Sequence, residues 1–332
     1  MTENLRKKPS LPVALKNVDS VEIISVIDNS IDFSSTTRRE EVEPLRMWVT
    51  ESKGETWIKR HFRLPKAEHG FSMLVRVAYA DEVHTILFDA GRSPEGVLTN
   101  AHSIGLDLSE VESIVISHGH YDHFGGLLEV LKDVNKPTLP IIVHEDMFKT
   151  RGVAEPNGNV RRHPEFPSET WVKPAVYVRT KQPYLLADDT ILVTGEIPRK
   201  TDFEQGFQQH RVLIDGKWQP DPWIRDDRAL VIKVKQKGIV ILSGCAHAGI
   251  VNTSLYAQQL TGTSKIHAIL GGFHLAGKEH ERRIESTVRH LKALKPALIA
   301  PSHCTGWRGA FAIARAMPEA FVWNSVGNLY RF

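Results

Sequence analysis

Short apolar runs, not long amphipathic stripes, dominate the hydrophobic pattern of this chain. Val21 to Ile27 is a β-branched run that stops at Asp28-Asn29, which predicts a buried strand and a turn. Phe71 to Ala80 and Val83 to Phe88 predict two strands joined by a short turn, the second ending at Asp89-Ala90-Gly91. Pro94 to Ile104 has helical spacing, Ile114 to Ile116 reads as a short strand, Gly126 to Lys132 as helix, and Pro140 to Val143 as strand. Later, Ala229 to Val234 and Ile239 to Leu242 read as strands. Helix Val251 to Leu260, strand Ile266 to Leu270, helix Glu279 to Leu294 and strand Ala297 to Ala300 follow. Strands first, then βαβα alternation, predict an α/β layered protein.

Residues 1–20 read as an N-terminal tail, loose to Asn17, and 21–332 as one domain. Ser30 to Val42 is polar and reads as a loop. Within 150–230 prolines recur at 156, 164, 167, 174, 183, 198, 220 and 222. That stretch reads as a long insertion shaping the substrate pocket, because excursions of this length are usually binding loops or lids. Hydrophobic residues make up 41% of the 332, enough to bury a full core, which excludes disorder as the main state. The net charge of +3 gives no reason to expect a nucleic-acid partner. No apolar run approaches the ~18 residues of a membrane span, so no membrane partner is expected. Met1 to Asn17 lacks the apolar core of a secretory signal, and no such core follows the Arg38-Arg39 pair. Two cysteines, Cys245 and Cys304, cannot form a disulfide framework, and the expected location is the cytoplasm.

The histidines change the picture. Ser117-His118-Gly119-His120-Tyr121-Asp122-His123-Phe124-Gly125-Gly126 contains His-x-His-x-Asp-His directly after a strand. Neutral imidazoles and a carboxylate suit zinc, iron or manganese. His118 and His120, two apart on an extended segment, can point the same way. Asp122 and His123 can then turn to a second position nearby. Glycines 119, 125 and 126 permit the backbone turns this requires.

This motif resembles the metal-binding signature of the metallo-β-lactamase superfamily. Three further stretches are similar to its other landmarks: Leu87-Phe88-Asp89-Ala90-Gly91, Ser243-Gly244-Cys245-Ala246-His247-Ala248-Gly249 and Pro301-Ser302-His303-Cys304-Thr305-Gly306. Glu68-His69-Gly70-Phe71-Ser72, Thr194 to Arg199, Asp226 to Leu230, Gly249 to Thr253 and Gly271-Gly272-Phe273-His274-Leu275 resemble one branch. That branch holds relatives of 7,8-dihydropterin-6-methyl-4-(ribofuranosyl)-aminobenzene phosphate synthase. The resemblance implies a four-layer αβ/βα sandwich with one or two divalent metals, Zn2+ foremost and Mn2+ or Fe2+ as alternatives. It assigns His118, His120 and His247 to one ion, and Asp122, His123 and His303 to the other. Asp89 would orient a ligand histidine, or merely cap its strand. The superfamily usually adds an aspartate bridging both ions between the positions of His247 and His303. Here that stretch contains no Asp. His274 is the expected stand-in, as a ligand to one ion or as a general acid. Losing a carboxylate makes the site more positive and favours an anionic small-molecule substrate.

Such a centre makes hydroxide at neutral pH. The resemblance therefore implies a metal-dependent hydrolase, foremost of phosphoesters. Its rivals are a lactone or thioester hydrolase, a pterin-pathway synthase, and a metal-binding sensor of low activity. Asp122 would both hold a metal and orient the nucleophile. His69 and Ser72 edge the site or form a plain turn. Asp226 and Asp227 line the substrate pocket or cap the next strand. Arg161, Arg162 and His163 bind phosphate or form a solvated charge cluster. Trp171, Trp218 and Trp223 stack on substrate or pack the insertion. Cys245 and Cys304 read as buried inert thiols. His144, His210, His267, His280 and His290 lack partner spacing and read as ordinary.

Overall fold

Apolar runs without alternation mean strands covered on both faces. In strand Ser72–Tyr79, Met73, Val75 and Val77 enter a core shared by two sheets, and Leu74 faces a layer of helices. Strand Gly238–Ser243 does the same from the opposite side. Val240 and Leu242 enter the shared core, while Ile239 and Ile241 pack under a second set of helices. The computed structural model describes residues 11–37 and 39–332. The first ten residues of the expected tail, and Arg38 of the arginine pair, lie outside these.

Four layers result. Helices Leu45–His61, Gly96–Ile104 and Leu127–Val134 contribute to the first core, against an eight-stranded sheet. Its order is Val176–Arg179, Pro140–Val143, Ser113–Val115, Glu82–Phe88, Ser72–Tyr79, Ser20–Ile27, Leu329–Arg331, Val42–Glu43. The facing seven-stranded sheet runs Tyr184–Leu186, Ile191–Val193, Ala229–Val234, Gly238–Ser243, Ile266–Gly272, Leu298–Ser302, with Asn17–Val18 beside Ala229–Val234. Helices Ile250–Thr261, Ile284–Leu294 and Gly306–Ala316 contribute to the outer core beyond it. Among the described residues no helix is long and apolar enough to cross a membrane.

The strands expected before residue 150 and after 228 all form, within two residues of their expected bounds. Three expectations need correction. The tail is not loose up to Asn17: Leu15 is buried, and Asn17–Val18 pairs in parallel with Lys233–Val234. Residues 150–230 are not one insertion. Val176–Arg179, Tyr184–Leu186 and Ile191–Val193 extend the two large sheets, and the rest includes a separate sheet, Lys217–Pro220, His210–Ile214, Arg151–Ala154, Val160–Arg162. The helix expected from Glu279 begins instead as a 3-10 turn, Glu281–Arg283, before Ile284–Leu294. Helix Leu45–His61, which the apolar pattern did not announce, buries only Leu45, Trp48 and Val49 and is kinked at Gly54. Its anchor is Trp48, whose Nε1 donates to the Gly327 carbonyl at 2.7 Å.

Topology places the chemistry. Glu82–Phe88, Ser113–Val115 and Pro140–Val143 are mutually parallel, as are Gly238–Ser243, Ile266–Gly272 and Leu298–Ser302 in the other sheet. Asp89, the 117–123 loop, Cys245 to His247, His274 and His303 all follow the C-terminal ends of these strands. Crevices beyond such ends are where α/β sheets bind ligands. Close approach there demands glycine: a Cβ on Gly271, at φ +109°, would sit 1.8 Å from the Ser243 carbonyl oxygen. Gly271→Ala is therefore expected to destabilise the protein by more than about 3 kcal/mol, from backbone collision. Gly277→Ala, at φ +92° but in open space, is expected to cost about 1 kcal/mol. Urea denaturation of both variants checks the contrast, and equal midpoints would refute it.

Candidate metal centre

The loop after strand Ser113–Val115 is pinned from beneath. Asp89 accepts the Ser117 N–H at 2.6 Å, the Ser117 hydroxyl at 2.7 Å and His123 Nδ1–H at 2.6 Å. Asp226 accepts the Gly119 N–H at 2.8 Å and the Arg151 guanidinium at 2.7 Å, fixing the peptide between His118 and His120. Asp227, expected to line the pocket or cap the next strand, is buried and accepts the Ala248 N–H at 2.8 Å, which holds the turn carrying His247. Asp28 accepts the His303 N–H at 2.8 Å, and Asn29 Oδ1 receives His303 Nδ1–H at 3.2 Å.

These contacts fix tautomers. His123 and His303 use Nδ1–H outward, so Nε2 carries the lone pair. Ser117 spends its proton on Asp89, so His118 Nδ1–H donates to the Ser117 oxygen at 2.9 Å and Nε2 is again free. His210 Nδ1–H donates to the Asp221 carbonyl at 2.9 Å. Its Nε2 therefore accepts from His120 Nε2–H at 3.2 Å, leaving Nδ1 of His120 as the free nitrogen.

The free nitrogens converge. His118 Nε2 lies 3.0 Å from His120 Nδ1 and 3.1 Å from His247 Nε2. On the other side, Asp122 lies 3.4 Å from His303 Nε2 and 4.0 Å from His123 Nε2. Lone pairs facing one another at such distances repel unless a cation lies among them. Burial and then the neighbouring histidines hold His118, His120 and His247 well below the usual imidazole pKa, so these rings are neutral donors. Burial opposes ionisation of Asp122, but His123 and His303 outweigh it and keep the carboxyl well below its ordinary value. His123 is also buried, yet Asp89 and Asp122 raise it. His303 Nε2 is buried without a hydrogen-bond partner. Imidazole nitrogens with one carboxylate, arranged this way, fit divalent transition ions.

The remaining expected residues fall in several places. His69 Nε2 is 3.5 Å from Asp122, with its side chain 58% exposed, so it stands at the solvent edge of the cluster. Ser72 is buried, and its hydroxyl donates to the Asp89 carbonyl at 2.8 Å. His274 packs its ring against His247, centroids 4.2 Å apart, with both ring nitrogens buried and unpartnered. Arg161 and Arg162 are exposed and paired with Glu155 and Glu165, and are not brought to the cluster. Trp171 is 69% exposed, and Trp223 lies against Arg199.

His210 was read as ordinary, and His163 as a phosphate binder or part of a solvated charge cluster, yet both rings reach the metal centre. Their ring centroids lie 5.2 Å from that of His120, carried there by the small sheet and the residue after its last strand. No local spacing in sequence could have shown this. His280, also read as ordinary, packs at 4.3 Å from His274. Cys245 was read as inert, yet its sulfur lies 3.2 Å from His123 Nε2.

A sequence profile described as the metallo-beta-lactamase superfamily matches residues 66–303, more than half the chain. The protein belongs to that superfamily, and its sandwich is the superfamily's fold. It is 30% identical over 283 residues to a 7,8-dihydropterin-6-methyl-4-(beta-D-ribofuranosyl)-aminobenzene-5'-phosphate synthase of Methanocaldococcus jannaschii, covering 80% of this chain and 90% of that one. An uncharacterised protein of the same organism is 32% identical, covering 79% and 93%. Among solved structures, Tm1679, described as a metal-dependent hydrolase of the beta-lactamase superfamily, matches with TM-score 0.67 and 23% identity, covering 94% and 98%. The metallo-beta-lactamase fold protein YhfI of Bacillus subtilis matches with TM-score 0.51 and 11% identity, covering 95% and 100%.

Asp89→Asn keeps the shape but loses the anionic acceptor that orients His123 and Ser117. Metal affinity is expected to fall about 10- to 100-fold. Competition with a chromogenic chelator measures this, and an unchanged affinity would reject the orienting role.

Proposed function

We propose that the protein is a metal-dependent hydrolase acting on an anionic small molecule, most simply a phosphoester. The observation that carries this reading is the convergence of His118, His120 and His247 beside Asp122, His123 and His303 at one rim of the sandwich. The first three would hold one divalent ion and the second three another, zinc being the best match to imidazole donors. When bound, such a pair of ions supplies hydroxide at neutral pH and a Lewis-acidic clamp for the reacting oxygens.

The protein's own groups then have distinct tasks. His118, His120 and His247 are held neutral and add no negative charge, so two dications would exceed the charge of Asp122 and leave a site that attracts anions. Asp122, oriented by its neighbours His303 and His69, would accept a hydrogen bond from the O–H of the nucleophile and align it. His274 suits a donor to the substrate or its leaving group. Burial, then His280 and Arg283, hold its pKa well below the ordinary imidazole value. A ring kept neutral donates a hydrogen bond from N–H and does not act as an imidazolium acid, which amends the general-acid expectation. Arg161 and Arg162, paired on the surface, have no part in this reading.

A synthase of the kind named for the Methanocaldococcus jannaschii relative is the second reading, favoured by 30% identity across most of both chains. The 5'-phosphate in that name also supports a phosphate-bearing ligand. A panel of phosphomonoesters, phosphodiesters, lactones and thioesters, assayed before and after chelation, separates the alternatives. Turnover of phosphoesters that is lost with the metal is expected, whereas full activity in metal-free protein would end the proposal. His274→Ala is expected to lower kcat by about 100-fold at unchanged metal content. Loss of bound metal in that variant would make His274 a ligand instead, and normal kinetics with normal metal would leave it a packed histidine.

A further inference from the structure

Asp122 faces His303 and His123, and the stretch between His247 and His303 contains no aspartate. His274, a neutral imidazole, cannot link two ions as an anionic donor can. Of the buried carboxylates nearby, Asp89 is committed to Ser117 and His123 Nδ1, while Asp226 gives one oxygen to Arg151 and Gly119 and Asp227 one to Ala248, the other oxygen of each being unpartnered.

One further group with a removable proton faces the centre. The Cys245 sulfur lies 3.2 Å from His123 Nε2. It also lies within 4.8 Å of ligand-type nitrogens of His118, His247, His274 and His303. His118 and His247 belong to one triad, His123 and His303 to the other. The sulfur is thus the atom on which the two triads meet. His303 Nε2, buried and unpartnered, is among its neighbours. Local backbone supports the placement. Ala246 is left-handed at φ +53°, which turns Cys245 and His247 into the same cluster. Gly244 and Gly272 approach so closely that a Cβ on Gly272 would lie 2.3 Å from the Gly244 carbonyl oxygen and 3.2 Å from Cys245 Cα. The Cys304 sulfur lies within 4.8 Å of the Cys245 sulfur and of a His303 ring nitrogen, and its thiol donates to the Cys245 carbonyl at 3.5 Å.

We propose that the Cys245 thiolate is the anionic ligand shared by both metal ions. The inference rests on the two-ion reading above. On metal entry the S–H bond breaks, sulfur–metal bonds form, and one proton per chain passes to solvent, with no change of oxidation state.

The test loads metal-free protein with Co2+ as a spectroscopic probe. Wild type is expected to bind two ions and show a sulfur-to-cobalt charge-transfer band in the near ultraviolet. Electron paramagnetic resonance is expected to show the two ions magnetically coupled. Cys304→Ser should keep the band, and Cys245→Ser and Cys245→Ala should lose it, binding the second ion at least about 10-fold more weakly. Cys245→Asp should recover the second ion without the band. A two-ion wild-type protein with no sulfur band, or with a band but uncoupled ions, overturns the bridge while leaving the hydrolase reading intact. A wild-type protein that binds no cobalt ends both. The wild-type spectrum decides even if a variant fails to fold.

Discussion

Nitrogen lone pairs held face to face in a buried site are the constraint on which the rest of this structure depends. His118 Nε2 meets both His120 Nδ1 and His247 Nε2 near 3 Å, inside protein, with all three rings kept neutral by burial. No proton arrangement satisfies all three at once, since each imidazole also commits a proton elsewhere or leaves a nitrogen bare. A cation resolves the conflict. The surrounding layer exists to keep the conflict in place: the Asp89 carboxylate, the Ser117 hydroxyl, the Asn29 amide and His210 each hold the far side of a ring. A free imidazole would turn away from its neighbours, and these cannot.

That arrangement strains the backbone, and the strain has an address. Asp89, Ala246, His274 and His303 adopt left-handed φ values between +46° and +62° although none is glycine. Such residues cost on the order of 1 kcal/mol each and persist only where the surroundings over-determine them. Here the surroundings are the ends of strands from two sheets that share one apolar core. Rigidity comes from burial on both faces of each sheet, and the loops beyond the strand ends inherit it. This is why the chemistry sits at a rim of the sandwich and not on its faces.

The same division explains what could be read in sequence. Continuous apolar runs marked the strands because both faces are buried, and the His-x-His-x-Asp-His motif was visible because its donors are neighbours in the chain. The approach of His210 and His163 to His120 was hidden because the small sheet brings them in from about 90 and 40 residues away. Arg161 and Arg162 read as a phosphate fork or as a solvated charge cluster, and they form the latter: their strand, Val160–Arg162, turns them to acidic partners at the surface, while the following His163 reaches His120. Asp226 and Asp227 read equally as pocket residues or as caps of the next strand. Buried backbone N–H groups at Gly119 and Ala248 required acceptors, and that need claims one oxygen of each. Helix Leu45–His61 escaped notice because only three of its residues are buried and Gly54 interrupts its spacing.

His120 is one link between the sandwich and the small sheet, and the buried Arg151–Asp226 pair is another. Its Nδ1 faces His118 in the sandwich, and its Nε2 donates to His210 in the small sheet. The His210 ring is in turn fixed by the Asp221 carbonyl, and the Asp221 carboxylate lies 3.2 Å from Arg151 Nε, whose guanidinium grips Asp226 beneath Gly119. The path closes on itself, from His120 through His210, Asp221, Arg151 and Asp226 back to the peptide that carries His120. A displacement of strand His210–Ile214 would rotate the imidazole and pull on its backbone together. The excursion from the sandwich is therefore part of the centre's geometry, as well as a wall beside it.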